Sequence, residues 1–117
     1  MSGNAQSLDP GFLMSRQLQA RLMNMAVRKE LERLSVLDSF ELMALPSIKE
    51  GETVVDGTAI PFIIWHDLLP SGEHRIVVQA NRRAWLGLGV YLDADGFAVT
   101  ASGSLRSLTD EELDSFM

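Results

Sequence analysis

The predicted fold is decided by residues 85–103, which have the sequence WLGLGVYLDADGFAVTASG. Side chains of opposite character alternate on both sides of Asp93-Ala94-Asp95-Gly96, and a period of two is typical of β-strands. The tetrapeptide has the composition of a hairpin loop, so we predict a β-hairpin that turns at residues 93–96. In this register Val90 lies opposite Val99, and the leucine, valine and phenylalanine face belongs to the core.

The second face of the predicted hairpin is expected to be a contact surface for a protein partner. It combines aromatic with small residues, and glycines inside a strand often mark the close approach of another backbone. Aromatic and arginine side chains provide much of the binding energy at protein interfaces. The predicted partner-binding residues are Arg82, Arg83, Trp85, Gly87, Gly89, Tyr91 and Thr100. The alternative is that the chain's own helix covers this face.

The rest of the chain predicts one domain over residues 9–117, preceded by a disordered segment at residues 1–8. Asp9-Pro10 is typical of a helix start, and good helix formers continue to Leu34. The predicted apolar stripe of this helix consists of Ala20, Met23, Val27, Leu31 and Leu34. A helix of about 25 residues is about 37 Å long, so part of it is expected to overhang a small sheet and to be available to a partner.

Two further helices are predicted from capping boxes, formed by Asp38 with Glu41 and by Thr109 with Glu112. A strand at residues 40–45 is the alternative for the first of them. Residues 47–51 and 81–83 are predicted to be loops, and further strands are predicted at 53–55, 58–68 and 74–80, with turns at 56–57 and 70–72. The sequence therefore predicts an α+β fold, with a long N-terminal helix packed on a four- to five-stranded antiparallel meander sheet and a short C-terminal helix.

Composition excludes several classes of function. The 117 residues include no cysteine, which excludes disulfide scaffolds, thiol nucleophiles and cysteine-ligated zinc. A net charge of −6 disfavours nucleic-acid binding, which depends on neutralising phosphates. The sequence contains neither an apolar run long enough to span a membrane nor a signal peptide, so a cytoplasmic protein that does not bind membranes is expected.

Three groups of polar residues are candidates for a catalytic, metal-binding or nucleic-acid-binding site. His66, Asp67, Glu73 and His74 flank one turn and could ligate a metal, but neighbours along a strand point to opposite faces. Asp93 and Asp95 are explained by turn formation. Arg75, Arg82 and Arg83 lie near aromatics but lack the signature of an RNA-binding sheet. We therefore predict no catalytic residue, no metal and no cofactor.

These observations favour a small acidic, non-enzymatic protein-interaction module, such as an adaptor, an inhibitor or a secretion-chaperone-like protein. It would act through a sheet face, an overhanging helix or both, as a homodimer that binds another protein of basic character. The alternative is a small-ligand-binding protein or an enzyme, with a pocket between helix and sheet lined by Phe62, Trp65 and His66.

Overall fold

The computed structural model describes the backbone of residues 3–83 and 90–116, and the side chains of residues 17, 18, 20–80 and 93–115. In chain order its elements are α1 (Gly3–Ser35), α2 (Ser39–Met43), β1 (Ile48–Val55), β2 (Thr58–Leu68), β3 (His74–Arg83), β4 (Val90–Val99), β5 (Leu105–Ser107) and α3 (Asp110–Phe116). The strands form one antiparallel sheet in the order β1-β2-β3-β4-β5. The predicted α+β fold is thereby confirmed.

The second half of α1 packs on the sheet. Its buried apolar residues are Leu22, Met23, Ala26, Val27 and Leu34. Ala20 of the predicted stripe is exposed. Glu30 is only 4% exposed, and Arg33 satisfies its carboxylate with hydrogen bonds from Nε at 2.9 Å. The helix already includes Gly3, so the predicted cap at Asp9 does not mark its start, while the disorder expected for residues 1–8 stays a prediction.

One face of the sheet forms the core with α1. Residues that are paired in register share a face, which assigns alternate residues of each strand to the same side. Buried on the α1 side are Ile60, Phe62 and Ile64 of β2, Ile76, Val78 and Ala80 of β3, and Phe97 and Val99 of β4. We call the opposite side, which includes Trp65, Val77 and Ala98, the outer face.

The predicted turn at residues 93–96 is wrong, because β4 passes through these residues as a continuous strand. Its backbone pairs with β3 from His74↔Val99 to Arg83↔Val90, so Val90 and Val99 lie on one strand instead of facing each other. Residues 85–89 of the predicted hairpin lie outside the described residues. Gly96 serves close strand packing and not a turn, since a Cβ there would lie 2.2 Å from the carbonyl oxygen of Ile76.

Most of the other local predictions are confirmed. Asp56 and Gly57 adopt φ angles of 50° and 76° and close the β1–β2 hairpin as a two-residue turn. The capping box of Asp38 starts α2, so the alternative strand at residues 40–45 is wrong. Two predicted loops are also wrong, because most of residues 47–51 belongs to β1 and residues 81–83 belong to β3.

Candidate functional site

Three of the seven predicted partner-binding residues, Arg82, Arg83 and Tyr91, lie at one end of β3 and β4. Trp85, Gly87 and Gly89 lie outside the described residues. The backbones of Arg82 and Arg83 pair with those of Tyr91 and Val90. Thr100 lies at the other end of β4, where its amide donates to the carbonyl oxygen of Ser104 at 2.8 Å. Thr100 is therefore separated from Arg82, Arg83 and Tyr91 by the length of the strand, and the predicted surface stays a prediction.

The three residues of the predicted ligand pocket do not share a face. Phe62 and His66 lie on the α1 side of β2, where Phe62 is buried in the core. Trp65 lies on the outer face, where its Nε1 donates to Oε1 of Gln79 at 3.3 Å. The structure instead places a different group of residues around His66.

His66 and His74 form a hydrogen-bonded pair on the α1 side. Nδ1 of His66 lies 2.8 Å from the carbonyl oxygen of Leu45, and its Nε2 lies 2.7 Å from Nδ1 of His74. Because a carbonyl oxygen can only accept, the Leu45 contact requires a proton on Nδ1 of His66. With both rings neutral, Nδ1 of His74 then donates to Nε2 of His66, which leaves Nε2 of His74 as an acceptor.

His74 also lines an open pocket of about 250 Å³ between α2 and the end of the sheet. The other lining residues are Ser39, Met43, Gly72, Val99, Thr100, Ala101, Ser102 and Gly103. The hydroxyls of Thr100 and Ser102 are 3.0 Å apart. The pocket therefore combines hydroxyl groups with an imidazole whose other nitrogen is held by a second histidine.

The carboxylates that accompany these histidines in the sequence are engaged elsewhere. Asp67 faces the outer side and pairs with Arg75, while Glu73 accepts from Nη2 of Arg106 at 2.7 Å. Among residues 17–80 and 93–115 no group of three histidine or acidic side chains has the geometry of a metal site. Alternation along the strands thus separates the histidines from Asp67, as the sequence argument expected.

A charged network attaches α3 to one end of the outer face. Nη1 of Arg75 donates to the carbonyl oxygen of Glu112 at 2.6 Å and to Oγ of Ser115 at 3.0 Å. Arg106 lies between two carboxylates and donates to Oε2 of Glu112 at 2.8 Å and to Oε1 of Glu73 at 2.7 Å. Hydrogen bonds from Arg106 and from the backbone amide of Thr109 lower the pKa of Glu112 to about 2, and those from Arg106 and Ser71 lower the pKa of Glu73. The network stabilises the fold and is not an unfilled binding site.

The outer face is covered only in part. Val77 and Ala98 are fully buried there, near the end that α3 covers. Toward β1 the outer face is more accessible to solvent. Ile48 and Val54 are 53% and 55% exposed, and Ile63 and Trp65 are half-buried. We call these four residues the apolar outer surface. Sequence reasoning missed Ile48 because β1 was predicted to start at residue 53.

None of the described helices is both long and apolar enough to cross a lipid bilayer. Comparisons with family models, curated proteins and solved structures found no match to this chain. The two features of the described residues that bear on function are the apolar outer surface beside β1 and the pocket at His74.

Proposed function

We propose that this chain is a small acidic, non-enzymatic protein-interaction module of the adaptor, inhibitor or secretion-chaperone type, acting in the cytoplasm. The observation that supports it best is the apolar outer surface. Two large aliphatic side chains, Ile48 and Val54, expose more than half of their area on the edge strand of a sheet whose other face packs on α1. Large apolar side chains that are left exposed beside polar residues are typical of protein-binding sites.

The partner surface is proposed to extend beyond the residues predicted from sequence. Trp65 is half-buried on the outer face beside Ile48, and tryptophan is enriched among the side chains that dominate binding energy. Gln79 holds its indole nitrogen, so the ring is already oriented before a partner arrives. An ordered aromatic side chain loses less conformational entropy on binding than a mobile one.

Affinity capture with the purified chain tests the proposal. The double variant Ile48→Thr/Val54→Thr keeps β-branched residues and strand propensity but removes apolar area from the outer surface. A matched control is Val36→Thr, since Val36 is 81% exposed and lies between α1 and α2. We expect partners to be retained by the wild type and the control and lost by the double variant. Equal capture by all three proteins would contradict the role of the apolar outer surface, and capture of no partner by the wild type would contradict the interaction role.

The proposal includes a homodimer formed through α1. Leu18 and Met25 are exposed on this helix, outside the stripe that packs on the sheet. A second copy would bury these side chains. Sedimentation equilibrium is expected to show a dimer that Leu18→Lys/Met25→Lys converts to a monomer, and a wild-type monomer at high micromolar concentration would exclude it.

A second candidate function, binding of a small polar ligand, rests on the pocket at His74. Nε2 of His74 can accept a hydrogen bond from a ligand hydroxyl or amide, while Thr100 and Ser102 offer hydroxyl groups. A thermal-shift screen of metabolites on the wild type and on His74→Phe tests it. A ligand that raises the melting temperature of the wild type alone would favour this function over the protein-interaction role.

A further inference from the structure

We propose that the free edge of β1 binds an extended, basic segment of the partner as an added antiparallel strand. This inference rests on the proposed function and specifies how its partner is recognised. In the part of the chain that the structure describes, β1 is the first strand of the sheet and pairs with β2 alone. Strand addition at such an edge obtains affinity from main-chain hydrogen bonds and specificity from alternate side chains.

The direction of each backbone group of β1 follows from three observations. The carbonyl oxygen of Ser47 accepts from the amide of His66 on β2 at 2.9 Å, and Val55 flanks the two-residue turn opposite Thr58. Odd-numbered residues therefore bond to β2, and even-numbered residues present N–H and C=O groups to the free edge. Nζ of Lys29 donates to the carbonyl oxygen of Val54 at 2.9 Å, which confirms this direction and occupies one end of the edge.

The side chains of the same even-numbered residues lie on the outer face and define the chemistry of the partner. In chain order these side chains are the apolar Ile48, the acidic Glu50 and Glu52, and the apolar Val54. Both glutamates are exposed, and neither forms an ion pair with a described residue. Residues directly opposite each other on paired strands interact, so the complementary segment reads apolar, basic, basic, apolar at alternate positions.

A second copy of this chain does not fit the edge. Edge hydrogen bonds join even-numbered residues to even-numbered residues, so antiparallel self-pairing over three or more of these positions places a glutamate opposite a glutamate. In the longest register Glu50 of each copy faces Glu52 of the other. Like charges directly opposite each other destabilise a strand pair, and the net charge of −6 adds to this repulsion. A basic segment of another protein would instead place positive side chains opposite the two glutamates, which stabilises the strand pair.

NMR amide exchange on the full chain tests this inference with a synthetic probe, the acetylated and amidated peptide Val-Thr-Lys-Thr-Lys-Thr-Val. With peptide at ten times its Kd, we expect exchange at the amides of Glu50 and Glu52 to slow by about tenfold. The amides of Gly51 and Thr53 already face β2 and serve as internal controls. N-methylation of the two lysine amides of the peptide should abolish the protection, whereas N-methylation of the central threonine should preserve it.

Charge reversal tests the acidic pair. Replacing the two lysines of the peptide with glutamates should weaken binding by about tenfold or more, since two favourable cross-strand pairs become repulsive. The variant Glu50→Lys/Glu52→Lys should reverse this preference, and circular dichroism checks that it is folded. Absence of protection, equal binding of both peptides, or a peptide-free dimer with protected Glu50 and Glu52 amides would each overturn strand addition.

The capture experiment with Ile48→Thr/Val54→Thr separates this inference from the proposed function. Loss of partners in that experiment with unprotected Glu50 and Glu52 amides would overturn strand addition and leave the interaction role standing. Capture of no partner by the wild type would instead overturn the interaction role itself.

Discussion

Gly96 offers the sharpest test of the fold, because the strand in the structure and the turn predicted from sequence require this glycine for different reasons. In the structure Gly96 lies within β4, opposite Val77. A Cβ built on it would lie 2.2 Å from the carbonyl oxygen of Ile76 and 2.9 Å from Cα of Val77. Both neighbours are backbone atoms of the adjacent strand, so rotation of a side chain cannot relieve the clash.

The cost of Gly96→Ala follows from that geometry. The shorter contact is roughly 1 Å below an ordinary van der Waals distance, so β3 and β4 must move apart locally. Overpacking of this kind costs about 1–3 kcal/mol, and each strained ladder hydrogen bond adds about 1 kcal/mol. We expect a loss of about 3 kcal/mol in the free energy of unfolding, a large part of the stability of a small domain.

Urea denaturation measures this loss, and Gly96→Asn distinguishes the two explanations. In a strand, asparagine is larger than alanine and should destabilise at least as strongly. In a turn with glycine in the left-handed region, asparagine is tolerated better than alanine. The matched control is Gly72→Ala, where φ is 89°. A Cβ built there would meet no atom of a non-neighbouring residue within 4 Å, so only the backbone penalty of about 1–2 kcal/mol applies.

With an m-value of about 2 kcal/mol/M, Gly96→Ala should lower the urea midpoint by about 1.5 M. A Gly96→Asn protein more stable than Gly96→Ala would refute the packing argument and restore the predicted turn. A Gly96→Ala protein no less stable than Gly72→Ala would refute the magnitude.

Three further predictions concern local interactions. Arg106 holds the pKa of Glu112 at about 2, below the ordinary value of 4.5, so the pair stabilises the fold above about pH 4.5 and this contribution disappears as the pH falls toward 2. Arg106→Gln should lower the urea midpoint at pH 7 and flatten its pH dependence between pH 4.5 and 2; an unchanged profile would contradict this. Long-range 15N–1H spectra at neutral pH should show a proton on Nδ1 of His66, because the Leu45 carbonyl oxygen can only accept, and a ring protonated at Nε2 alone would contradict the pair. Asp38→Ala should cost about 1 kcal/mol by removing the α2 cap, while Phe40→Ala at an 80% exposed position should cost little.

The features predicted correctly from sequence are those held by contacts within a few residues. Asp38 bonds to the amide of Glu41, and Asp56-Gly57 forms its turn from its own φ angles. The predicted stripe of α1 is confirmed only in part, because Ala20 is exposed and the buried Glu30 was not included in it. Arg33 satisfies that carboxylate one turn later, an arrangement that a hydropathy pattern does not encode.

The tetrapeptide Asp93-Ala94-Asp95-Gly96 shows why the register could not be predicted. Its local preference is for a turn, but as part of β4 it contributes to ten consecutive pairs with β3. Many cross-strand hydrogen bonds outweigh the propensity of four residues, and the sum depends on pairing partners that are distant in sequence. The same tertiary contacts fix which face each side chain occupies, so the predicted site residues could not be grouped correctly without them.

Residues 48–52 of the edge strand β1 were not predicted as strand, for the same reason that makes this strand available to a partner. Of its eight residues only Val55 is buried, so the segment lacks the apolar alternation that identifies strands in a sequence. Its pairing is imposed by β2, whose alternating Ile60, Phe62 and Ile64 are held in the core. A strand recruited in this way keeps its outward amides and the carboxylates of Glu50 and Glu52 in water. Exposed charges on an edge oppose uncontrolled pairing with like chains, and the same charges select a strand of opposite sign.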